Sequence, residues 1–211
     1  MLKHQKSITV SPEVMVYELH NILISEGISP ALPAFGIVSN SGKKTLELIG
    51  VAVFKSDKLV GFLDREESKY FCFASDKVDK GVLTEKMSPE NQMSDITLEV
   101  FKSKTEVKPT YSNGKLAMDI KIRTVASIAE IGTSINYISK KWREQLKKKA
   151  EESMKTSVEK LIKKVQNEYN SDIFGFGRIV KANMPSLWKQ IGQDWDNLFK
   201  TLEVNVNVDI T

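Results

Sequence analysis

The sequence predicts an α+β fold in two domains, and three observations lead there. Apolar and polar residues alternate over 96–100, 116–122 and 202–210, the two-residue period of half-buried strands. Between the second and third runs lies a single apolar stripe, Trp142, Leu146, Ala150, Met154, Val158, Leu161, Val165 and Tyr169, whose three- and four-residue spacing fits one helix about 45 Å long. Ser88-Pro89-Glu90-Asn91-Gln92 is polar, carries a proline and has no period, which marks a domain boundary. A smaller mixed domain then occupies 1–87. The larger, 88–211, is expected to be an antiparallel sheet covered on one side by the long helix and a C-terminal helix.

Each element has its own local cause. Ser11-Pro12-Glu13 supplies a capping hydroxyl, a preset first-turn φ and an acid for the dipole, so a helix is expected to begin there and carry Met15, Leu19, Ile22 and Leu23. Gly27 stops it, and Pro30 and Pro33 keep the next stretch extended or turned. Leu46 to Phe54 and Leu59 to Leu63, separated by the polar Lys55-Ser56-Asp57-Lys58, read as a hairpin buried on both faces. Asp64 and Glu67 have capping-box spacing and open a short helix with Tyr70, Phe71, Phe73 and Ala74. Gly81-Val82-Leu83-Thr84 reads as a further strand, and the segment around Pro109 as an edge strand. Asn113-Gly114 tolerates the positive φ of a tight hairpin turn. Past Gly175-Phe176-Gly177, Pro185 suits a first helical position for one amphipathic helix with Trp188, Ile191, Trp195 and Phe199.

Composition narrows the function classes. At 211 residues, 41% hydrophobic and 27% charged, the chain is long enough and apolar enough to fold around a core. One cysteine, Cys72, excludes an internal disulfide and a cysteine-based zinc cage. No run of about 18 apolar residues is present, and Met1 to Lys6 leads into no apolar export segment. The net charge of +4 falls entirely after residue 87, concentrated in 140–164 with ten basic and four acidic residues.

Candidate chemistry is sparse. His4 lies near the terminus and His20 on the opening helix, and neither has a partner nominated by spacing for acid/base work. Gly175-Phe176-Gly177 lacks the third glycine of a dinucleotide loop and follows a helix, so it reads as a helix break. Asp172, Asp194 and Asp196 are accounted for by capping and solvation. Cys72 sits between Phe71 and Phe73, where a thiol behaves as a small hydrophobe. Trp188 and Trp195, seven apart, share a face and read as core. The basic helix 140–164 is a solvated face first and a peripheral anionic-membrane-surface site second. Nucleic acid is not expected, because stacking aromatics are missing from that face. No cofactor, metal or catalytic residue is assigned.

Two segments extend this reading. Leu48-Ile49-Gly50-Val51-Ala52-Val53-Phe54-Lys55 followed by Asp57-Lys58-Leu59-Val60-Gly61 resembles the G-x-AVFK-x-DKLVG hairpin of the Ger(x)C family, the C (lipoprotein) subunits of bacterial spore germinant receptors. Asp172-Ile173-Phe174-Gly175-Phe176-Gly177, with Pro185, Trp188, Trp195 and the final alternating strand, is similar to that family's C-terminal signature. Glu67-Ser68-Lys69-Tyr70 departs from the family's Glu-Thr-Arg-Gly. The resemblance implies a non-enzymatic scaffold or interaction subunit in spore germination. It also implies membrane-integral A and B subunits as partners, and a location at the outer face of the spore inner membrane through a lipid anchor. The export segment, lipid-bearing cysteine and N-terminal domain of such proteins are not found in these residues, so the chain is expected to represent the family's middle and C-terminal domains.

Overall fold

A computed structural model describes residues 11–40, 43–78, 80–87, 94–131 and 139–211. In chain order the elements are α1 (Val16–Leu23), β1 (Ala31–Asn40), β2 (Lys43–Lys55), β3 (Lys58–Leu63), α2 (Arg65–Ala74), β4 (Gly81–Met87), β5 (Ser94–Ser112), β6 (Lys115–Ile131), α3 (Lys140–Lys164), α4 (Phe176–Asn183), α5 (Pro185–Ile191), α6 (Trp195–Thr201) and β7 (Glu203–Ile210). β1, β2 and β3 form one antiparallel sheet in that order, and β4-β5-β6-β7 a second. The larger sheet is antiparallel from β4 to β6, as expected. β7 completes it in parallel to β6, from Ala117 opposite Glu203 to Thr124 opposite Ile210. The long connection through α3 to α6 makes that possible, since a parallel neighbour needs a crossover.

One face of this larger sheet is dry. Met118, Ile120, Ile122 and Thr124 of β6 and Val206 and Ile210 of β7 are buried, whereas Lys121 and Arg123 between them face water. On β5 the buried set is Ile96, Leu98 and Val100 and then Thr105, a change of parity across the register shift between Val100 and Lys102. An extra residue at Phe101 flips the alternation, which a regular strand cannot do. β5 is one continuous strand, and Pro109 lies in the part that β4 does not reach, where a missing N–H leaves no ladder gap. At the hairpin tip Asn113 and Gly114 have φ of 51° and 75°, as their sequence predicts.

α3 lays its stripe on the dry face. Leu146, Ala150, Met154, Val158, Leu161 and Ile162 are buried, and Trp142 packs half-buried at the near end. α2 begins with the expected capping box, Glu67 N donating to Asp64 Oδ1 at 2.8 Å and Asp64 N to Glu67 Oε2 at 3.0 Å. Its far end is fixed to β5, where Thr105 donates from its hydroxyl to Phe73 O at 2.6 Å and from its N–H to Asp76 Oδ1 at 2.7 Å. Phe71 and Phe73 thereby join Val51 and Leu63 of the small sheet to Ile96, Ile120 and Val158 in one continuous apolar cluster. β4, on the N-terminal side of residue 88, pairs with β5 in the larger sheet; the linker-like 88–92 lies outside the described residues.

Three local expectations are corrected. The first helix starts at Val16, because Glu18 accepts from Met15 N at 2.9 Å and supplies the cap that Ser11 was expected to give. The β2–β3 hairpin is buried on both faces only at Val51, Ala52 and Val53, with Leu46, Leu59 and Phe62 exposed. The single helix expected from Pro185 is broken into α5, a 3-10 turn over Gly192–Asp194, and α6. Gly192 lies under the Trp188 indole, where a Cβ would come within 2.8 Å of the ring. Leu161→Ala is expected to lower stability by about 2 to 5 kcal/mol, read as a fall in the urea midpoint; unchanged midpoints for both Leu161→Ala and Leu146→Ala contradict this packing.

Candidate functional site

The chain leaves α3 through a five-residue π-helical turn, Val165–Tyr169, and reverses at Asn170, whose φ of 44° is one that asparagine tolerates. Ser171 then donates its hydroxyl to Phe54 O at 2.5 Å. Asp172 follows, buried to 5% exposure. Its carboxylate accepts from Phe176 N at 3.1 Å and Gly177 N at 2.8 Å, the first two residues of α4, and from the Trp195 indole N–H at 3.0 Å. Its backbone oxygen accepts from Ser29 N at 2.8 Å, and Arg178 N donates to Gly27 O at 2.9 Å. Gly27 and Gly177 are in backbone contact: a Cβ on either would lie 2.5 Å from the other's backbone atoms. The segment 27–29 is thus clipped to the start of α4 at a point that admits no side chain.

Burial pushes the Asp172 carboxyl up to about 6, against the pull of the Gly177, Phe176 and Gly175 N–H groups and the Trp195 indole. Trp195 packs against Trp188 with ring centroids 5.4 Å apart and the rings tilted by 52°, and the Trp188 indole N–H donates to Glu26 Oε2 at 3.3 Å. Lys181 pairs with Glu26 at 2.9 Å and, with Trp188, holds the Glu26 carboxyl below the ordinary range. Further along, Tyr169 donates its hydroxyl to Phe62 O at 2.8 Å, and its ring lies over Gly61, where a Cβ would come within 2.3 Å. Lys164 bridges both oxygens of Glu67 at 2.7 and 2.9 Å, and Lys55 reaches Asp196 at 2.8 Å. The hairpin motif, ending at Gly61, and the C-terminal signature, beginning at Asp172, therefore lie side by side although about 110 residues apart in the chain.

The candidates named from sequence do not converge. His4 lies outside the described residues, and His20 is exposed on α1. Asp194 is exposed and accepts from the Asn197 amide at 2.6 Å; Asp196 is exposed and pairs with Lys55. Capping accounts for Asp172, but solvation does not, since it is buried among three donors. Cys72 is fully buried, and burial pushes its thiol up to about 12, which leaves no nucleophilic thiolate near neutral pH. Among the described residues no three of His, Cys, Asp and Glu gather to hold a metal ion, and no helix is long and apolar enough to cross a membrane. Sequence reasoning passed over Glu85, which lies in phase with Leu83 on the buried side of β4; burial raises its carboxyl, with the Ser153 hydroxyl, Lys149 and Lys69 pulling the other way. Its signal was the phase itself: a charged residue two places from a buried leucine in a strand.

The chain is an α+β protein, a mixed sheet under one long helix held to a small sheet by a closed polar junction. Residues 49–211 match the family described as Spore germination B3/GerAC like, C-terminal, and the chain belongs to that family. It is similar to spore germination protein B3 of Bacillus subtilis (strain 168), 27% identical over 175 residues that make 82% of this chain and 45% of that protein. Spore germination protein YndF of the same strain is 23% identical over 77% of this chain and 40% of its own length. The crystal structure of the GerBC protein has the same fold, with a TM-score of 0.78 at 24% identity, covering 95% of this chain and 62% of that one. The chain spans about half the length of the curated relatives it matches. The family is one of germinant-receptor subunits associated with spore germination and is not known as an enzyme family.

Asp172→Ala leaves three buried N–H donors without an acceptor and is expected to cost about 2 to 4 kcal/mol, measured by urea unfolding; a cost below about 0.5 kcal/mol contradicts the junction. The pH dependence has a definite sign. A folded carboxyl raised from 3.8 to about 6 holds its proton more tightly than the unfolded chain, so stability from this group falls by about 3 kcal/mol as pH rises from about 4 to 6. Asp172→Asn cannot ionise, so wild-type stability measured relative to that variant should fall across this window. A constant difference contradicts the assignment.

Proposed function

We propose that this chain works as a non-enzymatic part of a nutrient germinant receptor, a scaffold and interaction module at the outer face of the spore inner membrane. In this reading it docks on the membrane-integral A and B subunits, and a lipid anchor in the full-length protein supplies much of the localisation. The observation that carries the reading is the meeting of the family's two motif segments in a closed junction, Ser171 on Phe54 O and Tyr169 over Gly61. Residues that mark the family hold the body together, which leaves the outer surfaces for function.

The small sheet supports docking. Phe35 stands opposite Leu48 and Ile37 opposite Leu46, on the same side of β1 as the buried Ala31. The apolar face thus runs past the core into solvent, where Phe35 is 54% and Ile37 74% exposed. Contiguous apolar surface of this kind is what partner chains cover. Tethering also lowers the intrinsic affinity such a contact needs, because an anchored domain meets its partner at high effective concentration. Spores whose full-length protein has its lipid cysteine replaced are expected to germinate slowly or not at all on nutrients. Phe35→Asp in the anchored protein is expected to weaken its co-purification with the membrane subunits at least tenfold. Normal germination after deletion of the whole gene, in a strain without a paralogous receptor, rules the proposal out.

A further inference from the structure

The outward face of α3 has a charge pattern that the fold does not use. Lys141, Lys148 and Lys155 are seven apart and lie in one line along the helix, with Lys149, Lys160 and Lys163 beside them, all exposed. Lys155 reaches Glu159 at 3.9 Å, Lys149 acts electrostatically on Glu85 of β4, and the other four are in none of the ion pairs among the described residues. Two of the helix's four acids are drawn aside. Glu151 accepts from Ile210 N at 3.0 Å and pairs with Lys147 at the β7 edge, and Glu144 reaches Lys140 at 4.0 Å. Glu152 and Glu159 remain among six lysines over about 33 Å of helix. Between Lys160 and Lys163 and the start of β7 lies a shallow groove of about 410 Å³, lined also by Glu159, Thr156, the half-buried Val204 and the buried Ile162.

We propose that this face of α3 is a docking surface for an anionic lipid bilayer, on which the helix lies flat with its sheet turned away. The occupant follows from complementarity. A straight row of cations on a convex rod matches a planar field of lipid phosphates along its whole length, each lysine adding a similar increment near the surface. The face carries no aromatic side chain on which a nucleic-acid base could stack. The inference is independent of the receptor reading, since it needs only this chain and lipid.

Sedimentation of the 211-residue chain with vesicles tests it, using phosphatidylcholine alone or with about 30 mol % phosphatidylglycerol at low salt. Binding is expected only to the anionic vesicles, falling more than tenfold in about 0.5 M NaCl. The charge reversal Lys141→Glu, Lys148→Glu, Lys160→Glu and Lys163→Glu should lower it more than tenfold, with the thermal midpoint checking the fold. Lys108→Glu with Lys121→Glu, on the outer face of the sheet, should leave binding unchanged. Failure to sediment with anionic vesicles overturns the proposal, as does equal loss in both variants, or retention of the chain on a DNA duplex but not on the vesicles. Vesicle binding together with normal germination after deletion of the whole gene would sustain this inference and remove the receptor reading, so the two can fail separately.

Discussion

A single buried carboxylate decides how this molecule closes. Asp172 sits where the end of α3, the start of α4, the Trp195 helix and the 27–29 segment meet; its carboxylate accepts from α4 twice and from the Trp195 helix once, and its backbone oxygen accepts from Ser29 N. A side chain with one lone-pair direction could not satisfy Phe176 N, Gly177 N and the Trp195 indole together, and an apolar one would leave all three buried and unpaired. Ionisation in so dry a place is costly, which is why burial lifts the carboxyl despite its donors. The glycines follow from the carboxylate. Once Asp172 draws the α4 N-terminus inward, Gly177 presses on Gly27 and on the Trp195 ring, and neither glycine has room for a Cβ.

From that point the two sheets are held in register by contacts to backbone oxygens more than to side chains. Ser171 and Tyr169 both donate to carbonyls of the β2–β3 hairpin, Phe54 O and Phe62 O, and Gln166 donates to Phe199 O and Leu202 O at 2.9 Å each. Carbonyls at strand ends are left over when a hairpin closes, so a polar side chain from the helical layer can satisfy them at little cost in packing. The ion pairs around them, Lys55 with Asp196 and Lys181 with Glu26, add little to stability, though Glu26 also accepts from the Trp188 indole.

Period and punctuation made much of the fold legible in the sequence. The stripe from Trp142 to Tyr169, the capping box at Asp64 and Glu67, and the alternation in 202–210 each have one physical reading, and the structure follows it. Parallel pairing of β7 was not legible, because alternation tells which residues face the core but not the direction of the neighbouring strand. Strand β1 was hidden by Pro30 and Pro33, which are tolerated because β1 is an edge strand of its sheet. The junction was half legible. Asp172 reads as a cap from its place before a glycine-flanked helix, but its burial depends on Trp195 and Gly27, and no local pattern ties residue 172 to residue 27.

The division of labour on α3 bears on why the family's motifs reveal so little about activity. The inner face of the helix is committed to Met118, Ile120 and Ile122 of the sheet and cannot vary without a cavity or strain. Among the described residues no ion pair ties Lys141, Lys148, Lys160 or Lys163 to another element, so lysine count and position there are under little packing constraint. The same holds for Phe35 and Ile37 on the small sheet, which extend an apolar face that the body leaves open. Residues that specify a closed junction must recur as a motif, since one wrong atom leaves a buried donor unpaired. A surface that works by summed charge or apolar area tolerates exchange between positions and leaves no motif, and for that reason the residues that identify this protein are not those through which it would meet a membrane or a partner.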